Sequence, residues 1–194
     1  NYIIVEIYGS VPIGDTKWYV QYNVYSNGTI KINSVLIPRG DIPLYIPKFG
    51  WTLNLSRKFR SIKWYGRGPW ENYDDRKTGA IIGLYTASLD TMWTPYLRPQ
   101  ENGNRADVYW ILFQNDIDDN ICITSDQFNP INFSVWPFLY EDLEKAKHPI
   151  ELSAFDYWIL NVDYKQMGVG GIDTWTFKAR PLPEYRLPTN QIYS

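Results

Sequence analysis

Lys17-Trp18-Tyr19-Val20-Gln21-Tyr22-Asn23-Val24-Tyr25 alternates in two-residue steps, and Ser26-Asn27-Gly28 ends it before Thr29-Ile30-Lys31-Ile32-Asn33-Ser34-Val35. In extended chain, successive side chains point to opposite faces. Trp18, Val20, Tyr22 and Val24 therefore share one face, and Ile30 and Ile32 share one side of the next run. Asn-Gly between two such runs predicts a β-hairpin, because glycine reaches the positive φ that a tight hairpin turn demands. The same period spreads outward from this pair. Residues 2–8, residues 157–162 and residues 175–179 read as strands. Ile131, Phe133 and Val135 alternate with Asn132 and Ser134. Residues 107–113 are apolar on both faces, which predicts a central strand. Thirteen prolines and thirteen glycines punctuate these runs. Only residues 140–147 have helical spacing, with Glu141 and Lys145 one turn apart and Pro149 as the stop. Many strands and at most one short helix predict an all-β fold, a large antiparallel β-sandwich. No internal repeat or low-complexity tract appears. Residues 1–194 read as a single domain, with the proline-bearing tail 180–194 as an extended strap.

Composition narrows the partners. The chain has 194 residues, 16 Tyr, 9 Trp and a net charge of −2. Tyr and Trp combine a large apolar face with a polar tip, which suits both β-rich cores and carbohydrate surfaces. No basic cluster is present, which argues against nucleic acid. No apolar run approaches the roughly 18 residues of a membrane span. The single Cys122 cannot form an internal disulfide, so the compartment stays open between cytoplasm and periplasm. In the strand-like run Asn120-Ile121-Cys122-Ile123-Thr124 it is expected to be a small buried filler. No basic segment followed by an apolar stretch opens the chain, so no signal peptide is expected. Strand-like sequence from the first residues leads to the expectation of a piece cut from a longer protein.

Candidate chemistry sits in three places. The first is Met167-Gly168-Val169-Gly170-Gly171-Ile172-Asp173-Thr174-Trp175, where Gly168, Gly170 and Gly171 free the backbone to turn sharply. The stretch lacks the Lys and Ser/Thr arrangement of a phosphate loop. Trp175 at its end is either a platform for the flat face of a sugar or the first rung of a core strand with Phe177 and Ala179. The second is the acidic set Glu71, Asp74, Asp75 and Glu101. A retaining glycosidase needs two carboxylates roughly 5–5.5 Å apart. Arg67, Arg76 and Lys77 lie close enough in sequence to neutralise the first three, and Arg105 is the natural partner of Glu101. Loops tied by ion pairs and side-chain-to-backbone bonds are therefore the expectation. The third is His148, which follows the helical segment and precedes Pro149, a place for capping or packing. One His and one Cys make no ordinary zinc site, and no nucleophile elbow is present.

The ordered segments Trp64-Tyr65-Gly66-Arg67-Gly68-Pro69 with Glu71-Asn72-Tyr73 and Asp75-Arg76, Thr94-Pro95-Tyr96, and Arg98-Pro99-Gln100-Glu101-Asn102-Gly103-Asn104-Arg105 carry a resemblance. His148-Pro149 with Glu151-Leu152, and Leu160-Asn161-Val162-Asp163-Tyr164-Lys165-Gln166-Met167-Gly168-Val169-Gly170-Gly171 with Asp173 and Trp175, extend it. Together they resemble the C-terminal domain of β-galactosidases of the glycoside hydrolase family 2 type, the large bacterial lactase. The resemblance runs from about residue 55 to 187. It implies a galactose mutarotase-like β-supersandwich and a catalytic machinery that lies elsewhere. Both catalytic glutamates and the adjacent magnesium site, with sodium as a second candidate ion, would belong to a TIM barrel in upstream domains. This chain would hold no catalytic residue and no metal.

The resemblance makes Trp175 the substrate-binding residue, on which the aglycone sugar of a galactoside rests, with Gly168, Gly170, Gly171 and Asp173 supporting the loop. Glu71, Asn72, Arg76, Glu101, Asn102 and Arg105 become structural. The parent enzyme would be a homo-oligomer. Ile172, where an acidic residue is usual, and Trp70, where a smaller or polar one is common, depart from the family's pattern. Two other readings remain. Aromatic richness fits an autonomous carbohydrate-binding module. The implied fold alone suggests a mutarotase-like epimerase, for which a lone histidine beside a proline is a poor acid/base set.

Overall fold

A computed structural model of the chain describes residues 1–12, 14–115, 119–126, 129–171 and 176–194. They form two compact units, Asn1–Pro47 with Arg186–Ser194, and Lys48–Tyr185.

The first unit is an antiparallel meander. β1 (Tyr2–Ser10) pairs with β2 (Lys17–Tyr25), which pairs with β3 (Ile30–Ile37). The Asn-Gly turn forms where the sequence places it. Gly28 sits at φ 85°, its N–H donates to the Tyr25 carbonyl at 3.1 Å, and Asn27 Oδ1 accepts from the Thr29 N–H at 3.0 Å. Cross-strand ring pairs Tyr2–Tyr25 and Tyr8–Tyr19, at 5.3 and 4.8 Å between centroids, hold the register. A two-residue strand β4 (Tyr45–Ile46) completes the 1–47 segment. The tail returns as β13 (Leu187–Pro188), which pairs with β4, and Tyr193 exchanges backbone hydrogen bonds with Leu36 at 2.8 and 3.0 Å.

The second unit is an all-β sandwich of two four-stranded antiparallel sheets. One has the order β10 (Asn120–Thr124), β9 (Trp110–Gln114), β6 (Ser61–Gly68), β7 (Ile81–Ser88). The other has the order β5 (Lys48–Ser56), β12 (Tyr157–Gln166), β11 (Ile131–Trp136), β8 (Arg105–Val108). Period-two alternation supplies the shared core. Ile62, Trp64, Ile111 and Phe113 from the first sheet meet Leu55, Val108, Phe133, Val135, Trp158 and Leu160 from the second. Burying each such aliphatic or Phe side chain contributes about 1.5–3 kcal/mol. Gly66 is required here: a Cβ on it would lie 2.7 Å from Val108 Cα, where the two sheets approach each other.

The outer face of the second sheet is also covered. Asn132 and Ser134, which alternation assigns to the outside, are buried. Trp136 lies on that face with them, and Phe138, Leu143 and Ile159 form a second apolar cluster over it, flanked by Trp93, Leu139, Leu152 and Phe155. Leu143 comes from the one α-helix among the described residues, α1 (Tyr140–Lys145). Acidic Glu141 and Asp142 in its first turn and Lys145 in its last complement the helix dipole. The helix stops two residues before the expected 147, because Ala146 turns to extended backbone. Pro149 instead opens a short 3-10 turn, Pro149–Glu151.

Three further expectations fail. Residues 107–113 are not one central strand: the run leaves β8 and enters β9, so it crosses from one sheet to the other. Asp107, inside β8, sits at φ 51° where the pairing with β11 shifts register, and the chain changes sheet at Tyr109, between β8 and β9. Cys122 is exposed rather than a buried filler, because it lies opposite Leu112 on the outer face, while Ile123 on the other face packs against the core. Residues 177–179 form a 3-10 turn rather than a strand, with Thr176 Oγ1 accepting from the Lys178 N–H at 3.1 Å and Phe177 open to solvent. Trp175, the start of that expected strand, lies outside the described residues.

Candidate functional site

The polar residues singled out by sequence converge on the covered outer face of the second sheet. Three loops meet there: residues 69–80 between β6 and β7, residues 92–104 before β8, and the glycine loop after β12.

Glu71 is the hub. Its Oε1 accepts from Arg76 Nη2 at 2.7 Å and from the Tyr96 hydroxyl. Its Oε2 accepts from Thr94 Oγ1 at 2.9 Å and from the Gly103 N–H at 2.7 Å. Both oxygens are thus engaged by protein donors from two of these loops, which is the arrangement of a strut and not of a proton-transfer group awaiting substrate. Asn72 and Asn102 act as substitute backbone. Asn72 donates to the Trp70 carbonyl at 3.0 Å and accepts from the Ala106 N–H at 2.9 Å. Asn102 donates to the Gln100 carbonyl and accepts from the Thr94 N–H, each at 2.9 Å. Both are buried, so these bonds satisfy loop groups that water does not reach.

Arg105 is buried beside them. Its guanidinium donates to the carbonyls of Met92 (2.7 Å), Gly103 (2.6 Å) and Pro69 (3.2 Å). Burial pulls its pKa down to about 10, against the opposing pull of Glu71 and Tyr73. Its bonds go to backbone and not to Glu101, its expected partner. Glu101 instead accepts from the Tyr73 hydroxyl at 3.2 Å and faces Lys48 Nζ at 3.8 Å. Lys48 Nζ also lies 3.9 Å from the Asp163 carboxylate and 5.2 Å from the Trp136 ring. Burial raises the pKa of Asp163 to about 7, with Lys48 lowering it and Glu101 adding to the rise.

Of the cations expected to neutralise the 71–75 acids, Arg76 pairs with Glu71 and Lys77 with Asp74 at 2.9 Å. Arg67 does not join them. It pairs with Asp107 at 2.5 Å, where Lys77 also reaches at 2.9 Å, and so holds the irregular stretch of β8. Burial would raise the Asp107 pKa, but the hydrogen bonds from Arg67 and Lys77 outweigh it and hold the carboxyl below its ordinary value.

Asp75 anchors the glycine loop. Its Oδ2 accepts from the Gly170 N–H at 2.6 Å. A Cβ on Gly168 would sit 2.6 Å from the same carboxylate. Gly170, at φ 68°, has no room for a side chain, because a Cβ would fall 1.9 Å from the Ala179 carbonyl oxygen. The Gly171 N–H donates to that oxygen at 2.8 Å, and the Gly168 N–H to the Tyr185 carbonyl at 2.9 Å. Gly168, Gly170 and Gly171 are thus brought against the Glu71 loop. Ile172, Asp173 and Trp175 lie outside the described residues. His148 is exposed and precedes the 149–151 turn, with its carbonyl accepting from the Glu151 N–H. Among the described residues, no group of three or more His, Cys, Asp and Glu side chains is placed to hold a metal ion.

Beside this scaffold lies an open cleft of about 390 Å³, walled by Pro69, Trp70, Arg76, Ile81 and Tyr85.

Residues 3–194 match the family model described as β-galactosidase small chain. The chain belongs to the β-galactosidase small-chain family. It is 38% identical over 194 residues to a β-galactosidase of Priestia megaterium, covering all of this chain and 18% of that protein. It is 36% identical over 166 residues to a β-galactosidase of Vibrio cholerae, covering 86% of this chain and 15% of that protein. A β-galactosidase of Lactobacillus delbrueckii subsp. bulgaricus is 34% identical over 92% of this chain. The chain therefore spans less than a fifth of the length of these curated relatives.

Sequence reasoning missed three members of this small-chain site. Asp75 was read as one more neutralised acid, although it holds a loop 95 residues away. Lys48 enters no motif, and Asp163 enters only as part of the ordered segment 160–171, with no role of its own. Their one readable trait is a charged residue at an alternating position of an otherwise regular β run, which marks a charge forced under cover once the sheet's outer face is buried.

Proposed function

We propose that this chain is the non-catalytic small-chain part of a β-galactosidase, its 194 residues acting as the C-terminal domain of a much longer polypeptide. The full-length, retaining enzyme hydrolyses terminal non-reducing β-D-galactose residues of β-galactosides. The observation that carries the reading is the match of residues 3–194 to the family, with β-galactosidases aligned over the whole chain. The engagement of Glu71 by four protein donors supports a structural role for the acids present here. On this reading the catalytic glutamates, and magnesium with sodium as the second candidate ion, are held by an upstream TIM barrel, and the parent is a homo-oligomer.

The chain's own contribution is a wall of the substrate site. The glycine loop, clamped by Asp75 and the Ala179 carbonyl, carries Trp175 to the aglycone sugar, with Asp173 in the same loop. The full-length protein is expected to hydrolyse a chromogenic galactoside, and this chain alone is not. Turnover by the purified chain overturns the reading. In the full-length enzyme, Trp175→Ala is expected to lower kcat/KM for a disaccharide about five-fold, the loss of a stacking contact of ~1 kcal/mol. Nitrophenyl galactoside, which has no sugar aglycone, should be affected less. Equal losses on both substrates count against the platform.

A further inference from the structure

Trp70 is 80% exposed, yet the backbone that carries it is held from both sides. Buried Arg105 donates to the Pro69 carbonyl at 3.2 Å, and buried Asn72 donates to the Trp70 carbonyl at 3.0 Å. The Asn72 N–H donates to the Asn104 carbonyl at 2.8 Å. A single exposed apolar side chain is ordinary on a protein surface. A large one at the rim of a cleft, on a turn whose two carbonyls are held by buried side chains, is different. It has little conformational freedom to lose on binding, and an indole has only two side-chain torsions to fix.

The rest of the cleft supplies the chemistry of a sugar site. Arg76 presents a half-exposed guanidinium, whose donors suit hydroxyl oxygens. The Tyr85 hydroxyl donates to the Ile81 carbonyl at 2.8 Å, which leaves its oxygen lone pairs as acceptors. An aromatic face with one donor group and one acceptor beside it matches a pyranose, whose ring face carries C–H groups and whose rim carries hydroxyls. A cleft of about 390 Å³ lies in the size range of small-molecule sites, about 300–1,000 Å³. We infer that the Trp70 cleft is a further carbohydrate-binding site on this chain, with Trp70 as the platform and Arg76 and Tyr85 as the polar rim. The choice of galactosyl chains as its ligand rests on the function proposed above.

The test uses the full-length protein, run on native gels containing soluble β-galactan and assayed separately with nitrophenyl galactoside. The wild type is expected to be retarded by the polymer. Trp70→Ala is expected to raise the apparent dissociation constant about five-fold, and Trp70→Phe to restore most of the binding. kcat/KM for nitrophenyl galactoside should stay within about two-fold in both variants, because a residue that holds remote sugar adds nothing to that small substrate's transition state. Unretarded wild type, or Trp70→Ala retarded as strongly as wild type, overturns the site. So does a Tm drop of several degrees in Trp70→Ala, which means that another part of the polypeptide covers the indole. Inactivity of the wild type on nitrophenyl galactoside instead strikes the β-galactosidase reading, and retardation still reports on Trp70 alone.

Discussion

Glu71 and Asp163 are both carboxylates under cover on the same outer face, and their surroundings differ completely. Glu71 receives four hydrogen bonds from the protein, one of them from a guanidinium. Asp163 is 3% exposed and has a cation only at 3.9 Å, one that it shares with Glu101. Lys48 Nζ itself is buried and has no hydrogen-bond partner among the described residues. Burial alone therefore does not decide whether a carboxylate binds a structure together. The donors that replace lost water decide it. Glu71 ties loops that would otherwise leave backbone and side-chain donors unsatisfied. Asp163 sits where its charged form is disfavoured, and its pKa rises to about 7.

The largest expected effect comes from breaking the satisfied member of the pair. Glu71→Ala strands the Gly103 N–H and two hydroxyls, while the half-exposed Arg76 guanidinium regains water, and leaving buried donors without an acceptor costs about 1–3 kcal/mol. Urea denaturation at pH 7 should show it, and Glu71→Gln, which keeps one acceptor, should lose less. Equal stability of wild type and Glu71→Ala would falsify the strut.

The unsatisfied member should show itself through pH. The Asp163 pKa is raised on folding, so between the unfolded value near 4 and the folded value of about 7 the native state holds the proton that the unfolded chain has released. Its stabilising contribution is full below the unfolded pKa and is lost as pH rises through the folded one, by at most about 1.4 kcal/mol per pH unit. Asp163→Asn removes that slope. Stability against pH should therefore fall less steeply from pH 4.5 to 7.5 in the variant than in wild type. Parallel curves would show that Asp163 ionises freely.

The smallest effect tests the clamp between the Glu71 loop and the glycine loop. Asp75→Asn retains an acceptor for the Gly170 N–H but loses its charge, at a cost of about 1 kcal/mol in the urea midpoint. If the clamp positions Trp175, this variant should also raise KM for a disaccharide more than for nitrophenyl galactoside. An unchanged ratio separates the clamp from the site.

The same contrast explains what was readable beforehand. The Lys17–Tyr25 hairpin was legible because its signals are local: a two-residue period and an Asn-Gly turn. The Glu71–Arg76 pair was legible because only five residues separate its members. Residues 107–113 misled because apolar side chains on both faces suit a central strand and equally a corner whose two halves enter different sheets. The irregular stretch of β8 before the switch is held by Arg67 and Lys77, distant in sequence, which both bind Asp107. Cys122 misled because a run apolar on both faces does not reveal which face turns to the core. Arg105 was assigned to Glu101 by proximity in the chain, but the buried carbonyls of Met92, Gly103 and Pro69 claimed its donors first.

By itself, then, the sequence determined the all-β class, the hairpin, the glycine loop's need for glycine and, through ordered motifs, the family. Those are properties of backbone freedom and side-chain period, which act within a few residues. Only the tertiary structure decided which groups distant in sequence meet: Asp75 with the Gly170 N–H, Lys48 with Asp163 and Glu101, Arg67 with Asp107. The physical reason is that burial sets the cost of a charge, and burial here comes from loops and a helix laid over a sheet by contacts that no local pattern encodes.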